Sequence, residues 1–378
     1  MQAQASVRQR RTAVRATGLL LLGSFLVVRV LFWILPSIFE PWSAQTTDRL
    51  FDVRSLFAAT RPVYDSTVVH VDISDRTIRA LQQSYLSRKQ FARVVENLST
   101  MNVAVQVWDF IFLARMNEEE DRALIEATAH VGNVVYGLAF EVHQSGRLIS
   151  ASTGDSIVQN YLDEHLWRIR VDGDPEEMVQ AGRAQITFAD LARAARGLGS
   201  LNLHADRDGI FRRIPLLFRY GSAWYPTISF FAICQFLRVS PEQIILEPGK
   251  SMTLLGAQIP HQGQKDIVIP IDRRGNMIVN YVGNWERMKH YDFADLLRAS
   301  DDQLDMEIWT EELAGKIVVA SQVTTGSADV GPVPTDNNFP LSGVHANAIH
   351  TILTGNFLRE ATPLQVFIVE AIVLLLLL

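Results

Sequence analysis

Two apolar runs, one near the start of the chain and one at its end, limit what this sequence can fold into. "ATGLLLLGSFLVVRVLFWILP" covers Ala16–Pro36 with Arg29 as its only charge. A helix needs about 20 apolar residues to cross a hydrocarbon core of ~30 Å, so this run has the length of one span. The long Arg29 side chain can snorkel to the outer interface, and Trp33 and Trp42 suit an interfacial aromatic belt. "PLQVFIVEAIVLLLLL" closes the sequence, and Glu370 is the sole polar residue from Phe367 to Leu378. That run is short for a span and reads as the start of a truncated one, with a buried C-terminal helix as the alternative.

Arg8, Arg10, Arg11 and Arg15 precede the first run, and no acid accompanies them. Such an arginine excess stays in the cytoplasm, and a long following loop is translocated largely regardless of its own charge. Leu35-Pro36-Ser37 offers no small-x-small cleavage site, which favours an uncleaved signal anchor over a signal peptide. The expected organisation is a cytoplasmic basic tail (1–15), a transmembrane helix (16–36), an extracytoplasmic domain (43–362) and the start of a second transmembrane helix (363–378). The lipid bilayer is thus the first expected partner.

With 48% hydrophobic and 20% charged residues, the chain has the composition of a folded protein. Its net charge of −6 argues against a nucleic-acid-binding surface. Cys234 is the only cysteine, so neither an intramolecular disulfide nor a cysteine-based zinc cluster can form. It lies in "YPTISFFAICQFLRV", where a buried structural thiol is expected.

Local patterns between the two runs alternate between strand and helix. "TVVHVDIS" is a β-branched strand ending at Asp72, with Ser74 or Asp75 placed to cap a helix. "RKQFARVVENLSTM" puts Phe91, Val94, Val95, Leu98 and Met101 at helical spacing. "VAVQVWDFIF" is strand-like through Asp109, so the three segments predict a βαβ crossover and a parallel strand pair. "NEEEDRALIEATAHV" opens with acids, as a helix N-terminus prefers. "GNVVYGLAF" reads as a buried strand, and Glu141 to about Gly182 as an insertion or loop-rich subregion. Thr187 and Asp190 stand at capping-box spacing, and Asp206–Gly209 reads as the turn of a strand–turn–strand unit. Tyr225–Val239 is expected to be helical. Strands follow in "SMTLLG", "DIVIPID" and "GNMIVNYVG", then a helix capped by Asp292, the buried strand "GKIVVAS" and a polar loop with Pro332, Pro334 and Pro340. A last helix, "GVHANAIHTILTG", ends at Gly355. The fold class is α/β: a mixed, mostly parallel sheet with flanking helices and added β-hairpins, and transmembrane helices at both ends.

Catalytic signatures fail on inspection. "PGKS" at Pro248–Ser251 has Ile244 where a phosphate loop needs glycine, and "HADRDG" places Pro215 where an EF-hand needs glutamate. His345 and His350 lie five apart, about 140° around a helix, so they cannot share a metal as an i, i+4 pair does. No catalytic residue, metal site or cofactor is expected in this segment. Carboxylates near strand ends remain: Asp72, Asp75, Asp109 and Asp329. Ligands bind at the C-terminal edge of open α/β sheets, so these four, with His345, are the candidate ligand-binding residues. The competing reading is caps and solvated loop acids.

The order of landmarks resembles the CHASE domain, type 2, a sensory extracellular domain of bacterial receptors. "VVHVDIS", "SRKQFARVV", "VAVQVWDFIF", "GNVVYGLA", "LGSLNLHADRDGIFRRIPLLF", "IPIDRRGNMIVNYVG", "YDFADLL", "LAGKIVVAS", "SADVGPVPT" and "SGVHANAIHTILTGNFL" carry the resemblance over about Asp48–Leu358. Ser321 stands where the family usually has glycine. The resemblance implies a multi-pass protein of the bacterial inner membrane, with its sensor in the periplasm and an adenylate or guanylate cyclase as output. A histidine kinase, serine/threonine kinase or diguanylate cyclase is the alternative output. An extracytoplasmic ligand or protein and a second copy of the chain, as a homodimer, are the expected partners. A different class of function is a membrane-anchored exterior enzyme using Asp72 and Asp109 as a carboxylate pair.

Overall fold

The computed structural model describes residues 2–57, 60–83, 85–143, 156–326 and 329–377. The chain divides into two units, Met1–Phe51 with Arg359–Leu378, and Asp52–Leu358. The chain opens with helices α1 (Gln2–Ile34) and α2 (Pro36–Leu56).

The larger unit begins with β1 (Val68–Ile73), α3 (Asp75–Leu81), α4 (Arg88–Thr100), β2 (Val105–Trp108), α5 (Glu118–Val131) and β3 (Val134–His143). Next come α6 (Ser156–Glu164), β4 (Arg170–Val171), β5 (Gln180–Ile186), α7 (Ala189–Ala194), β6 (Gly197–Ser200), β7 (Arg213–Pro215), β8 (Leu217–Tyr220), β9 (Ala223–Pro226) and α8 (Ile228–Phe236). Then β10 (Ile244–Glu247), β11 (Ser251–Ile259), β12 (Gly263–Pro270), β13 (Asn276–Ile278), β14 (His290–Asp292), α9 (Phe293–Arg298) and α10 (Gln303–Leu313) follow. The unit closes with β15 (Ile317–Gln322), β16 (Val330–Val333), β17 (Asp336–Pro340) and α11 (Ser342–Thr354).

The main sheet runs β14-β1-β15-β2-β3-β5-β8-β9, with β6 also paired to β3. Its first five strands are parallel. All six residues of β1 are buried, as expected where both faces of a parallel sheet are covered. Helix α4 buries Phe91, Val94, Val95 and Leu98, and Ser87 with Gln90 forms a capping box at its start. Phe91 packs its ring 5.7 Å from Trp108 and 5.5 Å from Phe293, joining α4, β2 and α9. Arg88 is buried beside Asp121 of α5, its guanidinium 5.4 Å from the Phe112 ring and 5.0 Å from the Phe188 ring. At Gly199 a Cβ would stand 2.3 Å from Ile228 Cα, so the absent side chain lets α8 lie against β6.

Several local expectations change in three dimensions. Strands β1 and β2 are parallel but not neighbours, because β15, from more than two hundred residues later, inserts between them. Its buried "IVVAS" run can satisfy a ladder on both of its edges. The Asp206–Gly209 turn forms, with the Gly209 amide donating to Asp206 at 2.9 Å. The strands around it do not pair with each other: β6 joins β3 and β7 joins β13. Helix α7 starts after Phe188 without a side-chain cap. The Thr187 hydroxyl instead accepts from the Phe112 amide at 3.2 Å, and Asp190 pairs with Arg115. The expected helix from Tyr225 begins only at Ile228, because Tyr225 is in β9. The proline-bearing loop is the β16–β17 ribbon. Each strand of such a two-stranded ribbon keeps one open edge, where proline's missing N–H costs no ladder bond. Of the expected loop-rich subregion, residues 144–155 lie outside the described residues, and the rest contains α6, β4 and the start of β5. Cys234 is buried, as its setting indicated.

In the smaller unit, α12 (Pro363–Leu377) carries the terminal apolar run. Arg29 Nε stands 2.8 Å from Glu370 Oε2, and the Phe25 and Phe367 rings are 6.0 Å apart. Arg29 therefore pairs with the one acid of the other apolar run. Leu19, Leu20, Leu26, Val27, Leu375 and Leu376 are all more than half exposed. Among the described residues, no helix is long and apolar enough to cross a membrane.

Candidate functional site

The site lies where β14, at one edge of the sheet, meets β1. Register pairs His70 with His290 and Asp72 with Asp292. Side chains two residues apart in a strand share a face, so the four form a polar square on one face of the β1–β14 pair. His290 Nε2 lies 2.8 Å from the Trp285 carbonyl, and its Nδ1 lies 2.9 Å from Asp72 Oδ2. A carbonyl only accepts, so Nε2 carries a hydrogen. Nδ1 and the carboxylate then face each other across a gap that a proton or another cation must occupy. The His70 ring stacks on His290 with centroids 4.7 Å apart and planes 13° apart, and lies 4.6 Å from Trp285. His70 is wholly buried, and neither ring nitrogen has a hydrogen-bond partner. Burial first, and the neighbouring His290 second, hold its pKa well below the usual histidine value, so the ring is neutral. Asp72 Oδ1 is likewise buried without a partner.

Asp292 braces the square from below. Its Oδ1 accepts from the Ala294 amide at 2.9 Å, capping α9, and from the Thr77 hydroxyl at 3.0 Å. Its Oδ2 accepts from the Ser74 hydroxyl at 2.9 Å. Ser74 and Thr77 form the capping box of α3, so one carboxylate ties two helix N-termini to the strand edge. Among the described residues, His70, Asp72 and His290 are the group able to offer ligand atoms to one metal ion, all within 4.8 Å of one another.

The five residues singled out from sequence fall in separate places. Asp72 belongs to the square. Asp75 is in the exposed first turn of α3 and accepts from the amide and hydroxyl of Thr325, bonds that lower its pKa. Asp109 follows β2, its amide donating to the Ala320 carbonyl at 2.9 Å. Burial, and then the charge of Asp329, push its pKa up to about 7. Burial also raises Asp329. His345 is a buried residue of α11 with Nδ1 3.5 Å from Ser229 Oγ, its pKa pushed down to about 4 by burial. Asp109 and Asp329 thus come together, while Asp75 holds Thr325 and His345 faces Ser229. Register sets Asp72 opposite Ser321 of β15, and Asp109 lies on the far side of that strand. Two strand spacings, about 10 Å, separate the two backbones, so they do not form one carboxylate dyad.

His70, His290 and Trp285 were not singled out from sequence. A signal was present: "HVD" and "HYD" repeat one His-x-Asp pattern in two strand-like segments. Only the pairing of β1 with β14 turns that repeat into a site.

The family model described as the CHASE2 domain matches residues 22–378 of the chain. No curated protein and no solved structure matches the chain.

Proposed function

The chain belongs to the CHASE2 domain family, and from that premise we propose that its larger unit is the sensory input region of a bacterial membrane receptor. The unit faces the periplasm, and residues 16–36 and the α12 run are membrane-embedded. A signal from an extracytoplasmic ligand or protein passes, in a homodimer, to a cytoplasmic nucleotide cyclase. The outward-facing leucines and valines of α1 and α12 support the membrane placement, as does the pairing of Arg29 with Glu370, the lone charges of the two apolar runs. A charge held in lipid is expected to find an opposite one.

Asn280 carries the proposal, because the incoming and outgoing ends of the larger unit meet on it. Arg54 donates to its Oδ1 at 2.6 Å and to the Tyr281 carbonyl at 3.1 Å. Asn280 Nδ2 donates to the Asn356 carbonyl at 2.7 Å, and its amide donates to Thr351 Oγ1 at 3.0 Å. Any rearrangement that moves this buried amide moves both ends together. A stimulus biases output only through different affinities for two states. A hydrogen bond present in only one state, about 1 kcal/mol, shifts that balance about fivefold. Asn280→Ala in the full receptor is therefore expected to change basal cyclic-nucleotide output several-fold, while substitution of exposed Gln262 leaves it unchanged. Output identical to wild type in both variants would remove Asn280 from the transmission path.

Topology has its own test. Cys234 is buried, so Gln262→Cys supplies an exposed thiol where the native one is shielded. A membrane-impermeant maleimide is expected to label it in intact spheroplasts. Labelling only after lysis would place the unit in the cytoplasm and end the proposal.

A further inference from the structure

We propose that His70, Asp72 and His290 bind a divalent first-row transition metal of the zinc class. The proposal does not depend on signalling, and it departs from the sequence expectation of no metal. Three observations carry it. First, the His290 Nε2 hydrogen is committed to the Trp285 carbonyl at 2.8 Å, the kind of outer bond that orients a metal-ligating imidazole. It leaves Nδ1 facing Asp72 Oδ2 across 2.9 Å, a gap for a proton or a metal cation. Second, His70 is fully buried with two bare ring nitrogens, and Asp72 Oδ1 is bare beside it. Buried polar atoms without partners are rare and costly, so a missing partner is the economical explanation. Third, the donor atoms all lie within 4.8 Å.

The distances nearly close on an ion. Zinc bonds of about 2.0–2.2 Å put two ligand atoms about 3.4 Å apart in a tetrahedral set and about 4.2 Å apart across a linear one. The His290–Asp72 contact, at 2.9 Å, lies just below that range and opens by about half an ångström to seat an ion, while His70, within 4.8 Å, closes by about an ångström or slightly more. The two rings are near-parallel, so one of them tilts to bring its in-plane lone pair onto an ion held off their edges on the Asp72 side. His290 is the most exposed of the three, with 20% of its side chain accessible, and gives the way in. Two imidazoles and one carboxylate favour zinc, cobalt, nickel or copper over magnesium and calcium, which prefer oxygen sets. Three protein ligands leave a fourth position open.

The test uses the full chain in detergent, stripped with a chelator and titrated with Zn²⁺ alone, then with Co²⁺ as a visible-absorption probe. We expect one ion per chain and a tetrahedral Co²⁺ spectrum. Mg²⁺ and Ca²⁺ should leave the Co²⁺ spectrum in place. His70→Phe keeps the stacked ring and removes both bare nitrogens, so it should fold at least as stably as wild type yet bind Zn²⁺ at least a hundredfold more weakly. Asp72→Asn should show the same loss. Absence of saturable Zn²⁺ or Co²⁺ uptake by wild type would mean that a proton or a water fills the gap, and the proposal would be wrong. Undiminished binding by His70→Phe would place the metal elsewhere and overturn it equally.

Discussion

Replacing Asp121 by alanine is expected to cost the larger unit about 3–5 kcal/mol, because the substitution leaves Arg88 buried without its counter-charge. The Arg88 side chain is 4% exposed and that of Asp121 1%. The guanidinium is walled by the Phe112 and Phe188 rings and donates to the Ala114 carbonyl, so it cannot turn out to water. Asp121 Oδ2 also accepts from the Met116 amide at 3.0 Å, and that donor is orphaned too. Urea unfolding would read the loss. Lys89 with Glu119 makes a neighbouring ion pair between the same two helices, but both side chains are largely solvated. Glu119→Ala should leave the transition unmoved. The double replacement Arg88→Met with Asp121→Leu should recover most of the stability, since the cost lies in the unpaired charge and not in the absence of a pair. Equal effects from Asp121→Ala and Glu119→Ala would show that burial does not govern this pair.

Asp109→Asn is expected to stabilise the unit at alkaline pH and to change nothing in acid. Burial, then Asp329, raise the Asp109 pKa to about 7, so the folded chain holds this proton more tightly than the unfolded chain, whose carboxyl titrates near 3.9. The stabilising contribution is complete below about pH 4 and is lost as pH rises through 7. At about 1.4 kcal/mol per pKa unit the full loss is about 4 kcal/mol, an upper bound because part of Asp109 reaches solvent. Asparagine keeps the neutral form at every pH. The variant should therefore exceed wild type by about 2–4 kcal/mol at pH 8.5 and match it at pH 4, in unfolding curves across that range. Parallel pH profiles for the two proteins would show that Asp109 titrates normally.

Much of the fold can be read locally. Helix α4 follows from apolar residues at 3.6-residue spacing behind a Ser–x–x–Gln box, and α5 from Asn117 followed by a run of acids. Asp292 caps α9, and Gly355 ends α11 with φ at 66°. The order of these segments is also what carries the family resemblance. The site was only half legible. Asp72 was found because it ends a strand, but its partner His290 is 218 residues away. Asp75 and Asp190 show the opposite failure. Both have the right residue type near a helix start, yet one holds Thr325 and the other Arg115.

Most element types, most helix ends, the burial of Cys234 and the family follow from the order of the residues. Tertiary structure alone decided that β15 separates β1 from β2, that two His-x-Asp segments stand side by side, that Arg54 and Asn356 share Asn280, and that Arg29 meets Glu370. Periodicity and capping are interactions among residues within a turn or two, so they are written in adjacent letters. Strand register and ion pairing are settled by whichever distant segment best fills an edge or neutralises a charge, and that competition is resolved only when the whole chain packs.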